Sequence, residues 1–532
     1  MKNKNERISK PLLTAPDLYA VIELGSTSVR MTIAQVQRHQ VTRILDSLQQ
    51  SISLGRDTFT TGAIGRRTTE ACVSAIQSFS RVLQEYGLKP SALDHVRVVA
   101  SSAVREATNR DAFLDRILIA TGVEVITLEE AEINRLTYRA VRPLLGKRAS
   151  FKKSDTLVIE IGGGSTETLM FHRGKVTSSH MYKLGSLRLS QSLDDMAVSR
   201  QRTWQLMSQT IDQTAEQIRA AISPTRNLHI LALGADMRFA ATMLQPNWDR
   251  KSLTSIPVSA LQELTDSLLT LSPDALVQRY HLAYEDADTV RPALLIYCRL
   301  ATILKIKRIL VAEVNLRTGM LSEMATGGIW TSEFKEQIIH SAMEVAARYD
   351  VDMRHAKHVS HYALAIFHHL QETENFTPRQ EMILTVAAIL HEVGGYISDR
   401  AHHKHSYYII SNSNIFGFSS RDVQLAALVA RYHRRSPPKS SHTPYTSLPR
   451  KDRLLVSQLA AILRIANVLD GLKDRREISL TFQRQDRSLL LLTNAVSNLP
   501  LLQKKINERA ELFTQMYGLD VVLRQTLKGS HL

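Results

Sequence analysis

The sequence has few cysteines and no long apolar run. Its two cysteines, Cys72 and Cys298, are far apart and in no metal-ligand spacing. This usage excludes a disulfide framework and is typical of a reducing compartment, so we expect a cytoplasmic protein. The polar amino terminus lacks the apolar core of a signal peptide, and no apolar stretch approaches the roughly 18 residues that span a bilayer. The sequence therefore predicts no membrane partner.

Acidic residues are outnumbered by basic ones. The 532 residues include 67 Lys and Arg against 51 Asp and Glu, which gives a net charge of +16. Such a charge indicates an anionic partner: nucleic acid, a membrane surface or a small polyanion. No recognisable nucleic-acid-binding motif accompanies the charge, so we expect no specific nucleic-acid binding. With 44% hydrophobic residues, the chain is long enough for three or four domains.

Two segments of the chain repeat one another, at 21–28 and at 158–166. Each is an apolar strand that ends in a carboxylate (Glu23, Glu160), turns through Gly, Ser and Thr, and resumes as a second apolar strand. Glycines let a backbone approach an anion, and hydroxyls add hydrogen-bond donors. Two such loops facing each other would clamp a phosphate chain. Because the repeat spacing is near one domain length, it predicts a duplicated α/β unit.

Composition and periodicity divide the chain into five regions. Strand and helix patterns alternate early in the chain and include a helix over 69–86, a strand over 96–100, a helix over 110–121 and a strand over 228–233. Beyond the glycines at 327 and 328, the pattern becomes helical and rich in histidine. We expect a polar tail (1–17), two α/β domains (18–145 and 154–326), a helical domain (330–475) and a small α/β appendage (476–532).

The two hairpins, the segment 101–109 and the segment 316–319 together resemble the exopolyphosphatase and guanosine pentaphosphate phosphohydrolase family. The resemblance covers roughly residues 18–325. It implies two duplicated actin-like domains, of the sugar kinase, heat-shock chaperone and actin superfamily, around a phosphate cleft. The helical part resembles the HD-type domain that follows in longer members, and the remaining tail is a small α/β appendage. Long members of the family are often homodimers.

The resemblance also implies site residues. Arg105 matches the arginine that reaches the phosphate group, and its planar fork suits that role. Mg²⁺ is implied as the cofactor, with Glu23, Glu160 and Glu167 as its ligands, although the family usually ends both strands in Asp. A catalytic role for Glu167 beside the second loop is also implied. The phosphate loops are Gly25, Ser26, Thr27 and Ser28, and Gly162, Gly163, Gly164, Ser165 and Thr166.

The general base of the family has no direct counterpart in this chain. Aligned through Arg135, the second Glu of the motif Gly-x-Glu-Glu-Ala-Arg falls on Ile133, which also lies on the apolar face of the predicted helix. Glu132, or Glu130 if a one-residue gap is allowed, would then be the catalytic substitute. Acidic residues also favour a helix amino terminus through the helix dipole, and this explanation stays open.

The helical region presents His355, His391, Glu392 and Asp470 in the order of a metal-dependent HD phosphohydrolase, with Glu at the position where that family has a ligand Asp. Because exopolyphosphatases commonly retain this domain in altered form, we expect a structural and substrate-guiding role. The basic runs 402–405 and 431–435 would guide a long polyanion.

The sequence as a whole predicts a phosphohydrolase. It would remove the terminal phosphate from inorganic polyphosphate or guanosine pentaphosphate by Mg²⁺-assisted attack of water. One alternative is a binding protein for polyphosphate or an alarmone that has lost catalysis through Ile133. Another is a nucleotide enzyme that works through the HD-like site.

Overall fold

The computed structural model describes residues 17–89, 94–146, 151, 153–194, 200–222, 227–434, 436–470, 480–493 and 499–525. The predicted amino-terminal tail, apart from its last residue, lies outside the described residues, as does 471–479. The chain divides into two compact units, the first within 1–129, 135–168 and 181–328 and the second within 130–134, 169–180 and 329–532. No helix of the described segments combines the length and apolar character needed to cross a membrane. The five predicted domain ranges stay predictions.

The first half of the first unit is built on a five-stranded sheet. Its strands are β1 (Asp17–Leu24), β2 (Ser28–Gln37), β3 (Gln40–Ser51), β4 (Val96–Ala100) and β5 (Ile126–Thr127), in the order β3-β2-β1-β4-β5. The first three strands are antiparallel, and β4 and β5 continue the sheet in parallel to β1. The helices are α1 (Leu54–Thr61), α2 (Arg66–Glu85), α3 (Ser102–Arg105), α4 (Arg110–Thr121) and α5 (Glu130–Gly146).

A six-stranded sheet repeats this topology. Its strands are β6 (Asp155–Ile161), β7 (Thr166–His172), β8 (Lys175–Tyr182), β9 (Leu228–Leu233), β10 (Thr254–Pro257) and β11 (Arg308–Val311), in the order β10-β11-β9-β6-β7-β8. β6 pairs in parallel with β9, and β9 with β11, just as β1 pairs with β4 and β4 with β5. The helices are α6 (Ser186–Asp194), α7 (Arg200–Ala221), α8 (Ala235–Leu244), α9 (Val258–Leu269), α10 (Pro273–Tyr280), α11 (Tyr284–Ile303) and α12 (Leu316–Ala325).

The second unit is mainly helical. Its helices are α13 (Ser332–Arg348), α14 (Met353–Glu374), α15 (Pro378–Leu390), a 3-10 turn (Val393–Tyr396), α16 (His402–Ser411), α17 (Ser420–Arg431), α18 (Thr443–Thr446) and α19 (Arg450–Leu469). Capping boxes at Thr377 and Ser419 fix the starts of α15 and α17. Residues 382–390 are all buried, so α15 lies at the centre of this helical core.

A small sheet and one helix complete the second unit. They are β12 (Leu480–Gln485), β13 (Ser488–Thr493), α20 (Leu499–Tyr517) and β14 (Asp520–Gln525), with β13 in the middle of the sheet. This arrangement confirms the predicted change from helical to mixed α/β structure near the end of the chain.

Several predicted elements are confirmed at the residue level. β4, α4 and β9 have the predicted bounds, and α2 begins three residues earlier than predicted and ends one residue earlier. α4 stops at Thr121 because Gly122 adopts a φ of 67°, a left-handed conformation that costs glycine little. The duplicated α/β topology is likewise confirmed by the equivalent strand orders of the two large sheets.

Candidate active site

The two predicted phosphate loops form the same turn. The Gly25 backbone N–H donates to the Ser28 carbonyl at 3.0 Å, and the Gly162 N–H donates to the Ser165 carbonyl at 2.8 Å. β2 then begins at Ser28 and β7 at Thr166. The hairpins of the two sheets are thus structural copies, as the sequence repeat predicts.

The two loops are in contact within the first unit. A Cβ added to Gly163 would lie 2.8 Å from the Ser26 Cβ, and one added to Gly164 would collide with the Phe59 ring and lie 2.8 Å from the Ser102 Oγ. Glycine is therefore required at both positions by close packing. The structure brings together the loops that the sequence predicts to face each other.

The carbonyl oxygens of both loops are engaged with the protein. Those of Ser26 and Thr27 accept from backbone N–H groups of residues 55 and 52. The Gly163 carbonyl accepts from the Arg188 N–H at 2.9 Å, and the Gly164 carbonyl accepts from the Arg188 Nε at 2.8 Å. Oxygen atoms that would repel an anion are in this way held by other groups, which suits a phosphate site.

Four of the five loop hydroxyls are buried, and they belong to Ser26, Ser28, Ser165 and Thr166. The Thr166 hydroxyl donates to the Leu184 carbonyl. Thr27, Gly162 and Gly163 are the partly exposed members of the loops. Among the loop hydroxyls, that of Thr27 is therefore the most accessible to a phosphate.

Three carboxylates gather where the paired strands end. Glu23 and Glu160 hold equivalent positions, each one residue before the end of its strand, and Glu167 is the second residue of β7. Arg317 forms an ion pair with Glu23 and donates to the Thr32 hydroxyl at 3.0 Å. The Ser165 hydroxyl donates to Glu167 Oε1 at 2.5 Å.

This crowding changes the protonation of Glu160. Burial, followed by the charges of Glu167 and Glu23, raises the pKa of Glu160 to about 8, although Arg238 and Arg317 act in the opposite direction. A buried carboxylate with two further carboxylates near it is a suitable oxygen donor for a hard divalent cation, which would take the place of the proton. The chemistry of these side chains suits Mg²⁺, and their role as its ligands stays a prediction.

Arg105, the predicted phosphate-binding arginine, ends α3. Its guanidinium donates to the Leu128 carbonyl at 2.8 Å and to the Met181 sulfur at 3.3 Å. Arg188, which sequence reasoning missed, lies with its guanidinium carbon 4.3 Å from the centre of the Phe59 ring and donates to Glu106 Oε2 at 2.6 Å. The sequence around Arg188 matches no motif, so only its contact with the second loop identifies it as a residue of the candidate site.

The start of α5 holds the residues proposed as the base. Ile133 is only 6% exposed, which confirms its interpretation as a core residue. Glu130 and Glu132 are half-buried, and Glu129 is exposed and precedes the helix. The catalytic assignment of these carboxylates stays a prediction.

The four predicted HD-like residues come together in the second unit. His355 Nδ1 lies 2.7 Å from Asp470 Oδ2, and His355 Nε2 lies 3.2 Å from His391 Nε2 and 3.5 Å from Glu392 Oε2. The ligand atoms of His355, His391 and Glu392 all lie within 4.8 Å of one another. Sequence reasoning missed His433, whose ring centre is 5.0 Å from that of His391.

A basic cavity lies beside this cluster in sequence and in structure. It has a volume of about 310 Å³ and is lined by His403, Lys404, Arg431, Tyr432, Arg434, Ser436 and His442. Nearby cations add to burial in lowering the pKa of the His403 imidazole to about 4. Both predicted basic runs contribute to this cavity; Arg435, which belongs to the second run, lies outside the described residues.

Comparisons with known proteins identify first the fold and then the family of this chain. The solved structure of an exopolyphosphatase from Cytophaga hutchinsonii is similar, with a TM-score of 0.53 and 18% sequence identity. The match covers 59% of this chain and 99% of that chain. Together with the duplicated sheets, this similarity defines a duplicated actin-like fold, which a helical region and a small α/β tail follow in this chain.

The sequence match is more specific. Residues 32–327 match the profile of the Ppx/GppA phosphatase family, and residues 339–512 match its domain III. The chain belongs to this family and is an enzyme of the phosphoanhydride hydrolase class. Guanosine-5'-triphosphate,3'-diphosphate pyrophosphatases from Photobacterium profundum (26% identity, 86% of this chain, 87% of the relative) and Aeromonas hydrophila (25%, 90% and 92%) are among its similar relatives.

Proposed function

We propose that the chain hydrolyses the terminal phosphoanhydride of guanosine pentaphosphate or inorganic polyphosphate, with Mg²⁺, in the cleft between its two actin-like domains. The observation that carries this proposal is the contact between the two hairpins, with three carboxylates at the strand ends behind them. The names of the sequence relatives support guanosine pentaphosphate as the substrate. The name of the structural neighbour supports inorganic polyphosphate as the substrate.

The protein groups have distinct roles in this reaction. The backbone N–H groups of both loops would hold the terminal phosphate, and Arg105 would swing from the Leu128 carbonyl to its oxygens. Glu23, Glu160 and Glu167 would hold Mg²⁺, which when bound neutralises charge on the phosphates. Glu167, oriented by the Ser165 hydroxyl, would align the attacking water, and Glu132 or Glu130 would accept its proton.

Phosphate release from both substrates, measured with Mg²⁺ and with EDTA, tests the proposal. We expect release that requires Mg²⁺ and returns when Mg²⁺ is added back. A protein that binds either compound without releasing phosphate would instead be the regulatory binding protein considered above.

The proposal extends to a cytoplasmic homodimer. Both cysteines are free and buried, which fits a reducing compartment. The dimer rests on the resemblance to long family members, and light scattering of the purified chain would measure it directly.

A further inference from the structure

A carboxylate without an assigned role lies at the edge of the sheet that carries the second phosphate loop. β6, β9 and β11 are parallel, so their carboxyl ends share this edge, which is where α/β sheets bind ligands. Glu160 is near the end of β6, and Asp236 follows β9 as the second residue of α8. Between them, a Cβ added to Gly234 would lie 3.4 Å from the carbonyl oxygen of Ile161, the residue before the second loop. Asp236 is therefore two residues away from a direct contact with that loop.

The start of a helix does not account for Asp236. An aspartate in the first turn is stabilised by the helix dipole, which lowers its pKa. Burial, followed by the charge of Asp286, instead raises the pKa of Asp236 to about 7. The Thr289 hydroxyl donates to Asp236 Oδ1 at 3.4 Å, which is a long hydrogen bond, and the described residues give this carboxylate no ion pair. Asp236 thus retains acceptor sites that the fold does not use.

Asp236 is also close to the first phosphate loop. Arg30 lies between them, because its Nη1 is 3.8 Å from a Cβ added to Gly25 and its Nε donates to the Gln49 side chain at 3.2 Å. The charge of the same guanidinium acts on both Asp236 and Asp286. Asp236, which is only partly buried, therefore lies at the candidate site and not on a remote surface.

Only one of the two proposed substrates offers a partner to this carboxylate. The phosphate oxygens of inorganic polyphosphate accept hydrogen bonds and carry negative charge, so they repel an aspartate. Guanosine pentaphosphate carries in addition a ribose hydroxyl and the N–H groups of guanine, which donate hydrogen bonds. Carboxylates at this edge of α/β sheets accept from ribose hydroxyls in other nucleotide-binding proteins. An aspartate among phosphate-binding groups therefore favours the nucleotide.

We propose that Asp236 selects nucleoside polyphosphates over inorganic polyphosphate by accepting a hydrogen bond from the nucleoside. Asp236 is then a specificity-determining residue, which contacts the nucleoside and not the reacting phosphate. This role rests on the proposed function and assigns a preference between its two substrates.

Turnover of both substrates by the full-length protein tests this role. Values of kcat/KM are measured at saturating Mg²⁺ and about pH 8.5, above the pKa of Asp236, so that the carboxylate is charged. Asp236→Ala should lower kcat/KM for guanosine pentaphosphate by about 10- to 100-fold, the size of a charge-assisted hydrogen bond, and should leave that for tripolyphosphate unchanged or raised. Asp274→Ala, which removes an exposed first-turn aspartate of α10, is the control and should change neither value. Equal losses for both substrates, or no loss for the nucleotide, would overturn the proposal.

Product binding separates a failure of this role from a failure of the proposed function. Loss of the terminal phosphate leaves guanosine tetraphosphate or a shorter polyphosphate, and calorimetric titration with guanosine tetraphosphate and with pyrophosphate needs no turnover. A wild-type chain that hydrolyses neither substrate would refute the proposed function, whereas the affinity for guanosine tetraphosphate relative to pyrophosphate still tests Asp236. We expect this ratio to fall about 10-fold or more in Asp236→Ala. An unchanged ratio refutes the role of Asp236.

Two further measurements identify the hydrogen-bond donor and exclude a structural role. GDP is compared with its 2'-deoxy analogue and with inosine diphosphate, which lacks the amino group of guanine. The analogue that wild type and Asp236→Ala bind equally well lacks the group that Asp236 contacts. Thermal unfolding at the same pH should show Asp236→Ala to be no less stable than wild type, because the fold stabilises the charged carboxylate poorly. A less stable variant with equal losses for all ligands would identify a structural role and overturn the proposal.

Discussion

The first unit collects its charged groups at the ends of strands, and the second unit collects them at the ends of helices. In the first, Glu23 and Glu160 have equivalent places because two sheets repeat one hairpin. In the second, the cluster joins the start of α14 and the residues after α15, α17 and α19. The first site is built from two segments that repeat one another in the sequence. The residues of the second site come together only when helices that are distant in the sequence pack against one another.

The donor atoms differ in the same way. The first site offers carboxylates, and burial together with the charges of Glu167 and Glu23 raises the pKa of Glu160 to about 8. In the second site, burial lowers the pKa of the His391 imidazole to about 4. Glu160 and His391 are thus both held in their neutral forms, by opposite shifts of their pKa values. The two sites therefore differ in the chemistry that they offer, with carboxylate oxygens in the first and imidazole nitrogens in the second.

The strongest test of this comparison pairs one carboxylate from each site. Glu167→Gln should lower phosphate release by about 10³-fold or more, because a positioned water and a metal ligand are lost together. Glu392→Gln should cause a much smaller loss. Turnover of a short polyphosphate at saturating Mg²⁺ measures both, and the opposite ranking would move the chemistry to the second unit.

The predictability of the two sites follows from how each is encoded. The hairpins, the strand-end carboxylates and the glycine that ends α4 depend on local sequence and could be predicted. Arg188 could not be, because its contacts with Gly164 and Glu106 join separate parts of the chain. His433 escaped for the same reason, since it follows a helix without any motif that relates it to His391.

A second test concerns the position that the family alignment gives to the base. Ile133→Glu should lower the free energy of unfolding by several kcal/mol, because it buries a carboxylate without a prepared partner. Thermal unfolding measures the loss. Ile119→Glu is the control, because that side chain is 80% exposed and should change stability little. A stable Ile133→Glu protein with raised activity would show that this position faces the substrate.

Glu132 offers a more selective test of the base. Glu132→Gln should lower kcat by about 10²-fold with little change in KM, because a base acts mainly in the transition state. Glu129→Gln, an exposed neighbour that precedes the helix, is the control. Full activity in Glu132→Gln would leave Glu130 as the remaining candidate on α5.

Arg105→Ala should weaken substrate binding by about 1.5 to 3 kcal/mol, the usual size of a charge-assisted hydrogen bond. Calorimetric titration with a non-hydrolysable analogue measures the change. Arg110→Ala removes an exposed arginine from the next helix and should leave affinity unaltered. Equal affinities for the two variants would remove Arg105 from the site.

The opposite pKa shifts give the smallest expected effect. The pKa of Glu160 is raised in the folded state, so its contribution to stability falls as pH rises from about 4.5 to about 8. The pKa of His391 is lowered, so its contribution is complete above about 6.5 and is lost as pH falls toward about 4. Between pH 4.5 and 6.5 the two units should therefore respond in opposite directions. Calorimetry of metal-free protein should show the transition temperatures of the two units moving apart or together by a few degrees over this range.

Two variants test which group causes each shift. Glu160→Gln should reduce the pH dependence of the transition temperature of the first unit only, and His391→Gln should reduce that of the second unit only. A variant that alters the pH dependence of the other transition would show that the two sites are not energetically separate.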